Sequence, residues 1–214
     1  MSGSFISPRY SKQHGSMTGR LALLFMVVLA LFCCASSAHP GDLPQTRLHI
    51  YFGQYTTDNM GDTLKIFKAD YEKNYLLAGA YSRDFLELRD GTHLGGEMGV
   101  ALRFGTNWTG ELWGGVVVRP KSFTSREGIT VGLAFTVGLS AISKSMGEEI
   151  KREIGRGGDA SFLFYLGPEI VVTFPGFRQW ELVYRLHHRS GAGGTLGGLY
   201  EGYNSNTIGF RYRF

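Results

Sequence analysis

The sequence predicts an all-β chain: an eight-stranded antiparallel transmembrane β-barrel over residues 39–214, preceded by a signal peptide at 1–38. Three observations predict it. Beyond residue 38 the chain holds no second long apolar run, only short segments that alternate apolar and polar residues with the period of a strand. In the last two segments the cations sit on one face and the aromatics on the other, the polar-inside, apolar-outside pattern of a barrel in lipid. The segments number eight, an even count, and most reach the ~9–11 residues that a tilted membrane strand needs.

The leader is read first. Residues 1–20 contain Arg9, Lys12 and Arg20 and no acid. The apolar run 21–34 is shorter than the ~20 residues of a spanning helix and suits a signal-peptide core. Ser36 and Ala38 then form a small-x-small cleavage site ahead of His39. Both cysteines, Cys33 and Cys34, lie in this leader, so the exported part has no disulfide and no cysteine metal site. The leader also holds three of the 22 basic residues and none of the 18 acidic ones. What remains is nearly neutral, which argues against a nucleic-acid partner.

The strands are expected at 47–56, 74–84, 93–104, 110–119, 128–141, 160–174, 178–190 and 202–214. The fifth shows the alternation best: Ile129, Val131, Leu133, Phe135, Val137 and Leu139 face one way, and Thr130, Gly132, Ala134, Thr136, Gly138 and Ser140 the other. Eight strands leave a narrow interior that side chains must fill, so small residues belong on the inner face and a pore is disfavoured. A soluble barrel would turn its apolar face inward. Here charged residues share the small-residue face, which points to lipid outside. Arg185, Arg211 and Arg213 should therefore point into the lumen and meet acids such as Glu97, Glu169 or Glu181, because unpaired buried charge is costly.

With the mature N-terminus in the periplasm, connections 57–73, 105–109, 142–159 and 191–201 are extracellular. Those at 85–92, 120–127 and 175–177 are periplasmic. The 142–159 loop reads as a solvated, exposed helical stretch with a Glu148–Arg152 pair. The terminal Phe210, Tyr212 and Phe214 resemble the closing aromatic signature of bacterial outer-membrane barrels, and that resemblance implies the outer membrane as the location.

Alternation puts His188 and Ser190 together on the lipid-facing side at the outward end of the seventh strand, with His187 and Arg189 toward the lumen. A serine beside a histidine base is the minimum for nucleophilic acyl transfer, provided a third group orients the imidazole. The bland alternative is a polar pair at headgroup level. The other histidines beyond the leader, His39, His49, His93 and His187, are scattered and give no metal-ligand spacing.

The segment His188-Arg189-Ser190-Gly191-Ala192-Gly193, followed by Glu201-Gly202 and the ending Phe210-Arg211-Tyr212-Arg213-Phe214, resembles the outer-membrane lipid A 3-O-deacylases. The resemblance implies an eight-stranded barrel with a Ser-His-Glu triad on its outer face. It implies Ser190 as nucleophile, His188 as general base and Glu201 as the acid that orients the imidazole. It also implies hydrolysis of the ester-linked 3-O acyl chain of lipid A, with lipopolysaccharide and outer-membrane lipids as partners and neither metal nor cofactor. Two departures stand out. The family's Asn after the serine is Gly191, leaving the backbone N–H groups of Gly191 and Gly193 as oxyanion donors; restoring Asn is expected to raise activity. Glu201 has the wrong parity for the outer face of a regular eighth strand, whereas Asn204 and Asn206 have the right one and are alternative orienters. The other function class is a non-catalytic structural barrel.

Overall fold

Leu48, Ile50 and Phe52 are exposed while the residues between them, Arg47, His49 and Tyr51, are buried. That single strand states the plan of the molecule, whose computed structural model describes residues 45–214. The leader and its cleavage site lie outside the described residues. Eight long strands close on themselves: β1 (Thr46–Thr56), β2 (Tyr71–Glu87), β3 (His93–Phe104), β4 (Trp108–Arg119), β6 (Thr130–Ile142), β7 (Phe162–Thr173), β8 (Trp180–Ser190) and β9 (Asn204–Arg213). Each pairs antiparallel with its sequence neighbour, β1 pairs with β9, and the order β4-β3-β2-β1-β9-β8-β7-β6 is closed by β4 against β6. The chain is thus an eight-stranded antiparallel barrel, as its alternation predicts.

The one addition is β5 (Phe123–Thr124), a two-residue ribbon paired to the start of β6. It accounts for the long connection at 120–127, because part of that connection is paired. Differences at strand ends are small: β2 begins at Tyr71 and runs to Glu87, and β9 begins at Asn204. The second difference matters for the site, since it leaves Glu201 in the loop.

The outside carries an apolar band with an aromatic girdle near each end. Phe52, Tyr75, Phe104 and Trp108 run across four strands with successive ring centroids 5.9, 5.7 and 5.4 Å apart. At the end that holds residue 45 and Phe214, Trp180 lies 4.9 Å from Tyr212, and Tyr212 lies 5.0 Å from Phe214. Aromatic rings with one polar edge suit the boundary between acyl chains and headgroups.

The inside is filled with paired charge. Arg185 donates to Glu97 at 2.7 and 2.6 Å and to Glu169 at 2.6 Å. Arg211 donates to Glu169 and, at 3.3 Å, to Glu181; Arg213 lies 3.7 Å from Glu181. The three arginines and three acids meet as alternation and the cost of unpaired charge require. Tyr51, Trp113 and Tyr165 pack between these layers. Gly99 makes room for one of them: a Cβ there would fall 2.0 Å from the Trp113 ring.

The 142–159 connection differs from its expected solvated character. A helix, α2 (Glu148–Arg156), is present and Glu148 does approach Arg152, at 3.8 Å. The helix is also a stopper, because Glu149 is fully buried in the barrel mouth. It accepts from Arg103 at 2.6 Å and from Arg189. Glu111 of β4 lies 3.7 Å from Arg103 and 3.6 Å from Arg189, one carboxylate for two luminal arginines, and the loop adds Glu149 as the second.

Candidate active site

The site forms where β8 leaves the barrel and β9 enters it, on the outer face. Their antiparallel register makes His188 and Asn204 direct cross-strand partners, so both side chains project to the same side within reach of each other. His188 Nδ1 lies 2.5 Å from Asn204 Oδ1. The amide cannot be turned around without loss, because Asn204 Nδ2 donates to the Asp58 carbonyl at 2.8 Å. With Oδ1 facing the ring, Nδ1 must carry the proton, which leaves Nε2 with its lone pair free to act as a base. Backbone in the first loop thereby sets the tautomer of a histidine in the seventh barrel strand.

Ser190 stands two residues further along the same face. Its hydroxyl donates to the Tyr200 carbonyl at 3.0 Å and accepts from the Ala192 N–H at 3.0 Å. No hydrogen bond joins Ser190 to His188 among the described residues. The serine is held by the loop and the histidine by the neighbouring strand.

Glu201 is placed elsewhere. It lies in the loop 3.7 Å from Arg152 of α2, and the imidazole's hydrogen-bond partner is Asn204 in its stead. The physical reason is competition: Arg152 is a full positive charge already fixed by the carbonyls of Gly202 at 2.5 Å, Thr57 at 3.0 Å and Asp58 at 3.3 Å. Asn206, the other residue of outward parity, is also occupied. It accepts from the Tyr184 hydroxyl at 2.6 Å and donates to Thr63 O at 2.9 Å and the Tyr71 hydroxyl at 2.7 Å.

Thr63 belongs to a short helix, α1 (Met60–Thr63), in the connection after β1. Its hydroxyl meets that of Thr56 at 2.8 Å. This connection lies against the outer face of β1 and β9, so Thr56, Asn204 and Asn206 are buried although their parity points them away from the lumen. That cover explains polar residues on a surface that is otherwise apolar. Parity in the sequence puts His188, Ser190 and Asn204 on one outward face, and the structure has His188 and Asn204 paired there. Sequence reasoning missed the roles of Asp58 and Arg152, which act through loop geometry and leave no periodic signal.

The glycine loop leaves no space for the asparagine that the family motif would put after the serine. A Cβ on Gly191 would fall 1.8 Å from the Leu199 carbonyl oxygen, well inside contact distance. The expectation that Asn at 191 would raise activity meets a lack of room: this loop folds back on itself, with Leu196 N–H donating to Gly191 O at 3.0 Å and Gly194 N–H to Leu199 O at 2.9 Å. Gly193 has φ +70° and open space around its Cα. Neither Gly191 N–H nor Gly193 N–H has a backbone acceptor among the described residues.

One group of potential metal ligands exists among the described residues: His49, Glu97 and Glu169, in the lumen. Its carboxylates are already engaged by Arg185 and Arg211. Two guanidinium groups at the same oxygens make this an ion-pair cluster, unsuited to a further cation.

No protein family and no curated protein matches the sequence. Among solved structures, the barrel is similar to the outer membrane enzyme PagL, at 14% identity and TM-score 0.52, over 78% of this chain and 98% of that one. It is also similar to Neisserial surface protein A, at 11% identity and TM-score 0.49, over 80% and 97%, and to the Yersinia pestis outer membrane protein Ail, at 10% identity and TM-score 0.40, over 80% and 100%. These likenesses concern the fold. The closed eight-stranded barrel, its apolar outside and its charge-filled inside place the protein in the bacterial outer membrane as a β-barrel in contact with its lipids.

Proposed function

We propose that this barrel is a serine esterase of the outer leaflet, hydrolysing the ester-linked 3-O acyl chain of lipid A. The observation that carries the reading is the His188–Asn204 hydrogen bond, which orients a base on the outer face beside Ser190. Three of the four connections at this end, 57–70, 143–161 and 191–203, are longer than those at the opposite end, and the longer loops of such barrels belong outside the cell, against the lipopolysaccharide leaflet.

In the reaction, the Ser190 hydroxyl turns from the Tyr200 carbonyl to His188 Nε2, which takes its proton as Oγ attacks the ester carbonyl carbon. The oxyanion that forms is met by the N–H groups of Gly191 and Gly193. The imidazolium returns its proton to the departing sugar oxygen, and the C–O ester bond breaks to leave an acyl-enzyme. Water, deprotonated by the same Nε2, then releases the fatty acid and restores Ser190. Asn204 holds the ring and its tautomer without adding charge, and Arg152 fixes the loop through the carbonyls of Gly202, Thr57 and Asp58. A neutral orienter stabilises the imidazolium less than a carboxylate does, so this site is a slower esterase than one with a carboxylate at that position.

A second reading, a structural barrel without catalysis, is favoured by one observation: the Ser190 hydroxyl donates to a loop carbonyl and not to the imidazole. Mass spectrometry of lipid A from cells expressing wild type or Ser190→Ala separates the two. The esterase reading requires loss of one 3-O acyl chain with wild type only; identical profiles leave the structural barrel.

A further inference from the structure

The mouth of the barrel opposite the glycine loop, beside residue 45 and the β2–β3 turn, opens into a cavity of about 500 Å³, within the range of small-molecule sites. Arg47, Arg89, Arg119, Lys121, Arg211 and Arg213 line it, against the acids Glu87, Asp90 and Glu181. Its floor is short of negative charge. The carboxylate of Asp84 is shared by two guanidinium groups, accepting from Arg47 at 2.7 Å and from Arg119 at 2.5 Å. His93 stands 3.9 Å from the same carboxylate. Arg47 and Arg119 are both more than nine-tenths buried, and each keeps an Nε–H with no acceptor. At the rim, Arg89 and Lys121 form no ion pair among the described residues. In the rest of the lumen carboxylates are shared as well, but the numbers match: five arginines face Glu97, Glu111, Glu149, Glu169 and Glu181, whereas Arg47 and Arg119 have Asp84 alone.

We propose that this mouth is a binding site for a phosphate-class oxyanion carrying two or more negative charges. Guanidinium forks match tetrahedral oxyanions, and cations gathered in a low-dielectric concavity focus their field on its centre. Short turns face the periplasm in barrels of this kind. The anion thus comes either from a soluble phosphate compound there or from the headgroups of acidic phospholipids that surround the mouth. The site is independent of the chemistry at Ser190.

Pyrophosphate is the probe. It is titrated calorimetrically into the protein, purified from outer membranes, in nanodiscs of phosphatidylcholine and in nanodiscs that also contain phosphatidylglycerol. Saturable binding of one anion per barrel is expected in phosphatidylcholine. The exposed pair Arg89→Gln/Lys121→Gln weakens it at least roughly tenfold, whereas Lys151→Gln at the other mouth leaves it unchanged. Loss of pyrophosphate binding on adding phosphatidylglycerol identifies the headgroup as the source, and unaltered binding identifies a soluble compound. Absence of saturable binding in phosphatidylcholine, or equal affinity in the double variant, overturns the proposal.

Discussion

His187 and His188 are adjacent in sequence and belong to different worlds. His187 points into the lumen, fully buried, with Nε2 2.8 Å from Glu111 and Nδ1 3.4 Å from the Tyr165 hydroxyl. His188 points outward, with Nδ1 on an amide and no hydrogen bond at Nε2 among the described residues. The inner histidine has both ring nitrogens committed to a charged network that fills the barrel. The outer one has a single neutral partner and a nitrogen to spare. A fully committed imidazole is structure, and a half-committed one beside a hydroxyl is a candidate base. The difference arises from one step in a strand, since consecutive side chains take opposite faces.

The sharpest test of this contrast exchanges the two for alanine alongside Ser190→Ala. We expect Ser190→Ala and His188→Ala each to lower deacylation by at least about 10³-fold, because members of a catalytic unit fail together. Both should leave an inserted barrel with normal heat-dependent gel mobility. His187→Ala should keep activity within about threefold and instead destabilise the barrel, by roughly 1–3 kcal/mol in urea, through the buried hydrogen bonds that Glu111 and Tyr165 lose. Equal loss of activity in both histidine variants would erase the distinction between faces.

Gly191→Asn follows in size. A side chain aimed at the Leu199 carbonyl must push the loop outward and carry Ser190 with it, since the serine is tied to Tyr200 and Ala192 of the same loop. Displacement of a nucleophile by an ångström costs on the order of 10²-fold. Raised activity in Gly191→Asn would mean that the loop has another conformation.

Asn204 tests the neutral partner itself. Asn204→Leu removes both the hold on the imidazole and the link to Asp58, and should reduce turnover by up to about 10²-fold, the lower end of what a positioned base contributes. Asn204→Asp keeps an oxygen on Nδ1 and makes the outer histidine resemble the inner one; the gain from its charge is offset by loss of the Nδ2 bond to the Asp58 carbonyl, so it should recover most of the activity lost in Asn204→Leu. If Leu and Asp prove equally poor, the oxygen on Nδ1 is not what matters.

The strands, their faces and the luminal ion pairs were legible in the sequence because each follows from period-2 alternation and the cost of unpaired charge. His188, Ser190 and Asn204 were legible for the same reason: all three have outward parity on neighbouring strands. The stopper Glu149, the space limit at Gly191 and the capture of Glu201 by Arg152 were not. Each depends on how an irregular loop packs against another segment far away in sequence, which no local pattern encodes. The interior of the fold is therefore readable from the chain, and the finishing of the site by its loops is read only in three dimensions.

The smallest effect belongs to the residue that the resemblance assigns as the imidazole's orienting acid. Glu201 is partly exposed and its carboxylate is 3.7 Å from Arg152, a distance at which an exposed ion pair contributes only ~0.2–1 kcal/mol. Arg152 does not depend on it, since the carbonyls of Gly202, Thr57 and Asp58 and the carboxylate of Glu148 remain. Glu201→Gln should thus change deacylation by less than about threefold, measured as the rate of free fatty acid release from purified lipopolysaccharide. Arg152→Gln, which unties three carbonyls at once, should do more harm than Glu201→Gln. A loss with Glu201→Gln as large as that with His188→Ala would show that the loop swings Glu201 onto the imidazole when substrate is bound, displacing Asn204 as the orienting group. The two histidines would then both work against a carboxylate, and the contrast between the faces of β8 would be a property of the resting barrel alone.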